Sequence, residues 1–145
     1  MADEGFNQRL DEYDKDCCWQ YHIRVQNYDE DVKESGLTEE QIRSLRVSDF
    51  RFEIVEDPKE RRVMAKFIKR HEWLGTLSQF TTHWFACYHG DILAGVILFN
   101  VPNTFSKILG EKTKEIERLI SRGACISWSP KNLASSFLMW CIGYM

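Results

Sequence analysis

The stretch that decides the fold is EIERLISRGACISWSPKNLASSFLMWCIGY, residues 115–144. Residues 115–121 alternate apolar with charged or polar side chains, a pattern that predicts a strand with two unlike faces. Ser129 and Pro130 then predict a helix start, with Ser129 as the N-cap and Pro130 at the first helical position. From Leu133 onward the sequence is apolar almost all round, which predicts a buried helix.

The first turn of this predicted helix is a candidate anion site. A helix N-terminus carries unpaired N–H groups and a partial positive charge, and both favour a phosphate. Lys131 places a cation where the helix dipole disfavours one, and a bound anion would remove that conflict. The alternative is that Lys131 is solvated on the outer side of the turn. The polar residues expected around the site are Ser129, Lys131, Asn132, Ser135 and Ser136.

Local signals predict the elements upstream of this stretch. Strands are predicted at residues 50–55, 82–89 and 92–100. Gly90-Asp91 is a short turn of the kind that closes a hairpin. Asp57 and Pro58 predict the start of a helix, as N-cap and first helical residue. The side chains expected on the inner face of that helix are Val63, Met64, Phe67 and Ile68.

The outer face of the same helix is strongly cationic. It carries Arg61, Arg62, Lys66, Lys69 and Arg70. Such a face is either simply solvated or a surface for nucleic acid, because lysine and arginine supply most of the affinity for phosphate backbones.

Charge divides the chain into two unlike portions. Residues 1–60 hold 17 acidic and 8 basic residues, whereas residues 61–145 hold 5 acidic and 11 basic ones. The acidic portion includes residues 17–25, predicted as a strand, and a helix over residues 39–46 with a capping box from Thr38 and Gln41. The basic portion contains the candidate anion site, which fits a polyanionic partner such as CoA or nucleic acid.

Composition and length place the chain among ordinary globular proteins. Its 145 residues suit one domain, and 43% of them are hydrophobic. No apolar run has the length that a membrane span needs. Five cysteines, an odd number, give no spaced disulfide framework and no zinc spacing. We therefore expect a cytoplasmic protein with no metal site.

Three motifs, in order, resemble one known family. They are HEWLGTL at residues 71–77, the hairpin WFACYHGDILAGV at residues 84–96, and Arg118-Leu119 followed by SPKNLASSFL at residues 129–138. Together they are similar to the Mom-type phage DNA-modification proteins, a divergent branch of the GNAT acyltransferase superfamily. The resemblance covers residues 50–145.

The resemblance implies an α+β fold with a GNAT-like mixed sheet and flanking helices, in the order β-α-β-β-β-α. The usual C-terminal strand and helix of the superfamily have no counterpart here. The chain is thus expected to consist of an acidic N-terminal extension, residues 1–49, and an incomplete GNAT-like domain, residues 50–145. A second copy or a partner chain could complete that domain.

The same resemblance implies a transferase. Its donor would be acetyl-CoA or a related acyl donor, and its acceptor the exocyclic amine of adenine in double-stranded phage DNA, which is thereby protected from restriction. If phage-encoded, it would act in the host cytoplasm. The alternatives are an N-acetyltransferase of a small-molecule or peptide amine, and a non-catalytic interaction module.

The resemblance also assigns the site residues. His71, Arg118 and Ser135 would be catalytic, although Arg118 could instead form an ion pair across the sheet. The donor would be bound by Leu119, Ile120, Ser121, Ser129, Lys131, Asn132 and Ala134. The usual phosphate-loop glycine is replaced by Asn132, as it is in Mom-type proteins. DNA would contact the five cations of residues 61–70.

Overall fold

A computed structural model describes residues 19–72, 77, 81–100 and 119–145. Its helices are α1 (Trp19–Ser35), α2 (Glu39–Ser44), a 3-10 turn (Val47–Asp49), α3 (Pro58–His71) and α4 (Leu133–Tyr144). Its strands are β1 (Arg51–Ile54), β2 (Thr81–His89), β3 (Ile92–Asn100) and β4 (Leu119–Cys125). Within these ranges no helix combines the length and apolar composition needed to cross a membrane.

The four described strands form one sheet in the order β1-β2-β3-β4. Each neighbouring pair is antiparallel, and a continuous row of paired residues runs Phe52–Cys87–Gly95–Cys125 across it. Gly90 turns the β2–β3 hairpin with φ +60°, a conformation that glycine adopts without steric cost. The predicted hairpin and the α+β class are confirmed. The parallel pairing that a mixed sheet would require is not found among these strands.

Helix α3 covers one face of the sheet. It begins as predicted, with Asp57 accepting a hydrogen bond from the backbone N–H of Lys59 (3.3 Å) and Pro58 in the first turn. Its buried residues are Met64, Phe67, Ile68 and His71. Val63 was expected to face inward and does not, because it lies just outside this i, i+3, i+4, i+7 stripe.

Helix α4 covers the opposite face. Trp140 of α4 contacts Phe85 edge-on, and the guanidinium of Arg61 on α3 lies over the ring of Trp84. Trp84 and Phe85 are adjacent in β2, and adjacent strand residues point to opposite faces of a sheet. Phe137 is fully buried and stacks on Phe52, with ring centroids 5.1 Å apart.

Two predictions about α4 are wrong. The helix begins at Leu133 rather than at Pro130, because Asn132 takes a left-handed conformation (φ +69°) that interrupts the helical path. It is also not buried all round: Met139, Ile142 and Tyr144 are at least half exposed. A single helix lying on a sheet buries only the stripe that faces the strands, whatever the composition of its outer side.

The strand predicted at residues 17–25 is wrong, since the described part of that segment lies in α1. Arg24, Tyr28 and Asp31 lie at helical spacing and face the rest of the molecule, with Tyr28 and Asp31 almost fully buried. The helix predicted after Thr38 is confirmed, with the capping box formed by Thr38 and Gln41. The predicted strand residues 115–118 lie outside the described residues.

Candidate anion-binding site

A basic pocket of about 370 Å³ lies between the N-terminal helices and the loop that follows β4. It is lined by Tyr28, Ile42, Arg43, Leu45, Arg46, Val47, Trp128, Ser129, Pro130 and Lys131. Three of these residues are cationic, and none of the described lining residues is acidic. This arrangement favours an anionic ligand.

The cations reach the pocket from two segments that are distant in sequence. Arg43 is in the last turn of α2, 3.9 Å from the exposed carboxylate of Glu39. Arg46 precedes the 3-10 turn, where its backbone N–H donates to Asp49 Oδ2 at 2.8 Å. Lys131 comes directly before the left-handed Asn132. Neither Arg46 nor Lys131 forms an ion pair with a side chain in the described part of the molecule.

Trp128 forms the aromatic wall of the basic pocket. Its side chain is 1% exposed and packs edge-on against the ring of His89 and obliquely against Phe50. Its indole N–H has no hydrogen-bond partner among the residues that are described. Such a buried, unpaired donor is uncommon in native proteins.

Helix α1 holds the loop after β4 by hydrogen bonds from Arg24 and to Asp31. Arg24 donates from Nε to the carbonyl oxygen of Ser127 and from Nη2 to that of Ser129, both at 3.1 Å. Ser127 in turn donates its hydroxyl to Asp31 Oδ2 at 2.6 Å, and both side chains are buried. The wall that carries Ser129 and Lys131 is therefore fixed to α1.

Asp31 is also the centre of a polar network with the end of α3. Arg70 Nη2 donates to Asp31 Oδ1 at 2.8 Å, and His71 Nδ1 lies 3.8 Å from Asp31 Oδ2. The hydrogen bond that Arg70 donates to Asp31 raises the pKa of Arg70. Burial lowers the pKa of His71, with Arg70 acting in the same direction and Asp31 against it. The imidazole is therefore neutral at physiological pH.

His71, the first residue of the HEWLGTL motif, is the last residue of α3 and is buried. It lines a second pocket of about 340 Å³, together with Asp31, Lys66 and Phe67. No described residue lines both pockets. Helix α1 contributes Tyr28 to the basic pocket and Asp31 to the second pocket.

The remaining predicted site residues are dispersed. Ser129 and Lys131 line the basic pocket, but Ser129 does not cap α4, because its backbone carbonyl and hydroxyl accept from Arg24 instead. Ser135 is exposed and donates its hydroxyl to the carbonyl oxygen of Asn132 at 3.1 Å. Ala134 is exposed, and Ile120 is 48% exposed on the edge strand. Arg118 and the side chain of Leu119 lie outside the described residues.

The five cations of α3 separate into two groups. Arg62, Lys66 and Lys69 are exposed. Arg61 donates from Nε to the carbonyl oxygen of Val55 at 3.0 Å, and Arg70 is bound to Asp31. Only the first three are thus available to a phosphate backbone without breaking an internal contact.

Known proteins give no direct guide to this chain. No family model, curated protein or solved structure matches it. What the protein does must therefore be inferred from its own contacts, charges and cavities.

The described cysteines do not have the properties of nucleophiles. Burial raises the pKa of Cys125 to about 11 and that of Cys141 to about 12. Burial also raises the pKa of Cys87. The reactive form of cysteine is the thiolate, which is scarce at neutral pH when the pKa is so high. Covalent catalysis by these thiols is therefore disfavoured.

The lowered pKa of His71 predicts a loss of stability on mild acidification. The unfolded chain binds a proton near the ordinary histidine pKa, whereas the folded chain resists protonation, so stability falls as the pH is lowered through that range. One such group contributes at most about 1.4 kcal/mol per pH unit. Urea unfolding between about pH 7.5 and pH 5.5 measures this, and His71→Gln should flatten the dependence. An unchanged slope in that variant would contradict the assignment.

Proposed function

We propose that this protein is a GNAT-like transferase that binds a CoA-type acyl donor in the basic pocket and modifies an amine of a DNA base. The observation that carries the proposal is the basic pocket itself. It contains Lys131, Arg43 and Arg46 without a described carboxylate, and it adjoins the loop where the family resemblance places the donor's pyrophosphate.

The chain path of the sheet agrees with that resemblance. The described elements from β1 onward follow the expected order β-α-β-β-β-α, with α3 and α4 on opposite faces. This agreement supports a GNAT-like arrangement as far as the helix after β4. It concerns the fold and says nothing of activity.

The strand expected to hold the donor arm has a suitable irregularity. Leu98 pairs with Arg122 and Phe99 with Ile120, so Ser121 is an extra residue in β4 that forms a bulge. Bulges leave backbone groups outside the ladder and are frequent beside active sites. In the described sheet β4 is also an edge strand, and its outer edge can pair with the amide groups of a pantetheine arm.

The loop before α4 keeps a glycine-like backbone. Asn132 stands where the usual phosphate loop has glycine, and its φ of +69° is a conformation that glycine and, among other residues, asparagine adopt most readily. The replacement of glycine therefore preserves the local path of the chain.

The acceptor is inferred from the exposed cations of α3. Arg62, Lys66 and Lys69 follow one another at helical spacing on a single stripe. A row of this kind suits the phosphates of double-stranded DNA and has no evident use with a small amine. The alternatives are an N-acetyltransferase of small amines and a non-catalytic interaction module. An assay of acyl transfer to DNA and to small amines distinguishes the three, because the module would modify neither.

In acyl transfer the amine attacks the thioester carbonyl directly, so no protein nucleophile is needed. A base removes the amine proton, the C–S bond breaks, and the CoA thiolate leaves and is protonated. The high pKa values of the described cysteines are compatible with this chemistry. His71 is neutral and could accept a proton, yet it lines the other pocket. The catalytic roles of His71, Arg118 and Ser135 therefore stay predictions.

Charge reversal of Lys131 tests the donor site. Calorimetric titration with CoA should show binding by the unmodified protein that weakens as salt is raised. Lys131→Glu should weaken it by about tenfold or more, because a charge-assisted hydrogen bond to phosphate is replaced by repulsion. Lys59→Glu, an equal charge change at an exposed site on α3, should change it by less than about twofold. Absence of CoA binding, or an equal effect of the two substitutions, would refute the donor assignment.

A further inference from the structure

We infer that the segment before β1 is part of the ligand site, and that Arg43 and Arg46 bind phosphate groups together with Lys131. The ligand class that follows is one with at least two phosphate groups, in a pyrophosphate or bisphosphate arrangement. The inference rests on the proposed function for the location of the donor. Arg43 and Arg46 lie outside the region that resembles GNAT proteins, which begins at residue 50.

The distribution of charge is the first argument. Residues 1–60 are strongly acidic, yet the two charged residues that this portion presents to the basic pocket are both arginines. They share the pocket with Lys131, and the described lining contains no carboxylate, although Arg43 also lies 3.9 Å from the exposed carboxylate of Glu39 outside that lining. Like charges that share a site repel one another, and a multiply charged anion removes that cost. Arginine also has the geometry to bind a phosphate with two hydrogen bonds.

The rigidity of the pocket wall is the second argument. Arg24 and Asp31 fix the loop of residues 127–129 to α1, and α1 also contributes Tyr28 to the pocket. Lys131 is thus presented by a loop that is fixed to α1, and Arg43 by the helix that follows α1 in the chain. A site whose walls are fixed before binding loses little entropy on binding.

The size and lining of the pocket are the third argument. About 370 Å³ is within the range of small-molecule sites. Beside the cations the lining is apolar or aromatic, from Tyr28, Ile42, Leu45, Val47, Trp128 and Pro130. A ligand that joins phosphate groups to an apolar or ring-containing part fits this combination better than inorganic phosphate alone.

Inorganic pyrophosphate is the probe that isolates the inferred residues. Calorimetry at low salt should show pyrophosphate binding by the full chain, and the pair Arg43→Gln with Arg46→Gln should weaken it by about tenfold. The matched pair Lys33→Gln with Lys59→Gln removes the same charge at exposed positions away from the pocket, and should change it by less than about twofold. The pair Arg43→Lys with Arg46→Lys keeps the charge but not the two-hydrogen-bond geometry, and should weaken pyrophosphate binding less than the glutamine pair does.

The outcomes separate this inference from the proposed function. Pyrophosphate binding that depends on Arg43 and Arg46, without CoA binding, would support the inference and overturn the CoA-type donor. CoA binding that is weakened by Lys131→Glu but not by the pair Arg43→Gln with Arg46→Gln would support the CoA-type donor and overturn the inference. Absence of pyrophosphate binding, or equal losses in the arginine and lysine pairs, would overturn the inference. Urea unfolding of each variant identifies a loss of affinity that is due to misfolding. If the glutamine pair misfolds, the affinity of the pair Arg43→Lys with Arg46→Lys for pyrophosphate tests the inference instead.

Discussion

Replacement of Asp31 by alanine should lower the free energy of unfolding by about 3 kcal/mol. The Asp31 carboxylate is 2% exposed, accepts hydrogen bonds from Ser127 and Arg70, and lies beside His71. Alanine leaves the fully buried hydroxyl of Ser127 without its acceptor and the guanidinium of Arg70 without its nearer counter-charge. Urea unfolding followed by tryptophan fluorescence measures the change.

Two controls make this result specific. Asp29→Ala, at an exposed position on the same helix, should cost less than about 0.5 kcal/mol. The double variant Asp31→Ala with Ser127→Ala should cost less than the sum of the single variants, because each removes the same hydrogen bond. Additive losses would show that Asp31 does not act through Ser127. A loss for Asp31→Ala no larger than that for Asp29→Ala would show that the network is not formed.

Charge reversal of the three exposed cations of α3 should strongly weaken the binding of duplex DNA. We expect Arg62→Glu, Lys66→Glu and Lys69→Glu together to lower affinity for duplex DNA by about 100-fold at low salt, and to reduce the slope of log K against log salt by about 3. Fluorescence anisotropy over a salt series gives both quantities. Binding of CoA should persist, because these residues do not line the basic pocket.

Single substitutions test the same surface more finely. Each reversal should reduce the salt slope by about 1, whereas Lys33→Glu on α1 should leave it unchanged. If the triple variant still binds DNA like the original protein, DNA is not the acceptor through this face. If it loses CoA binding as well, the substitutions act on the donor site or on folding.

The elements that sequence reasoning found are those marked by local signals. The turn at Gly90-Asp91, the Asp57-Pro58 start of α3 and the capping box of Thr38 and Gln41 are each encoded within four residues, and each is present. The candidate site was found only in part. Ser129 and Lys131 line the basic pocket, but Arg43 and Arg46 belong to the acidic N-terminal extension, to which the resemblance assigned no site residue.

The elements that were missed depend on contacts between distant residues. Asp31 and Ser127 are 96 positions apart, so no window of sequence contains both. In α1 the inward stripe includes Arg24 and Asp31, and charged residues normally indicate an outward face. A periodicity search for apolar residues therefore passes over this helix.

The hydrogen bond between Ser127 and Asp31 also constrains when the basic pocket can form during synthesis. At about 5–20 residues per second, the ribosome adds Ser127 roughly 5–20 s after Asp31. Throughout that interval α1 lacks the loop that Arg24 and Asp31 will hold, and a helix in a protein owes most of its stability to tertiary contacts of this kind. The basic pocket thus cannot form until Lys131 and the loop that carries it have been added to the nascent chain.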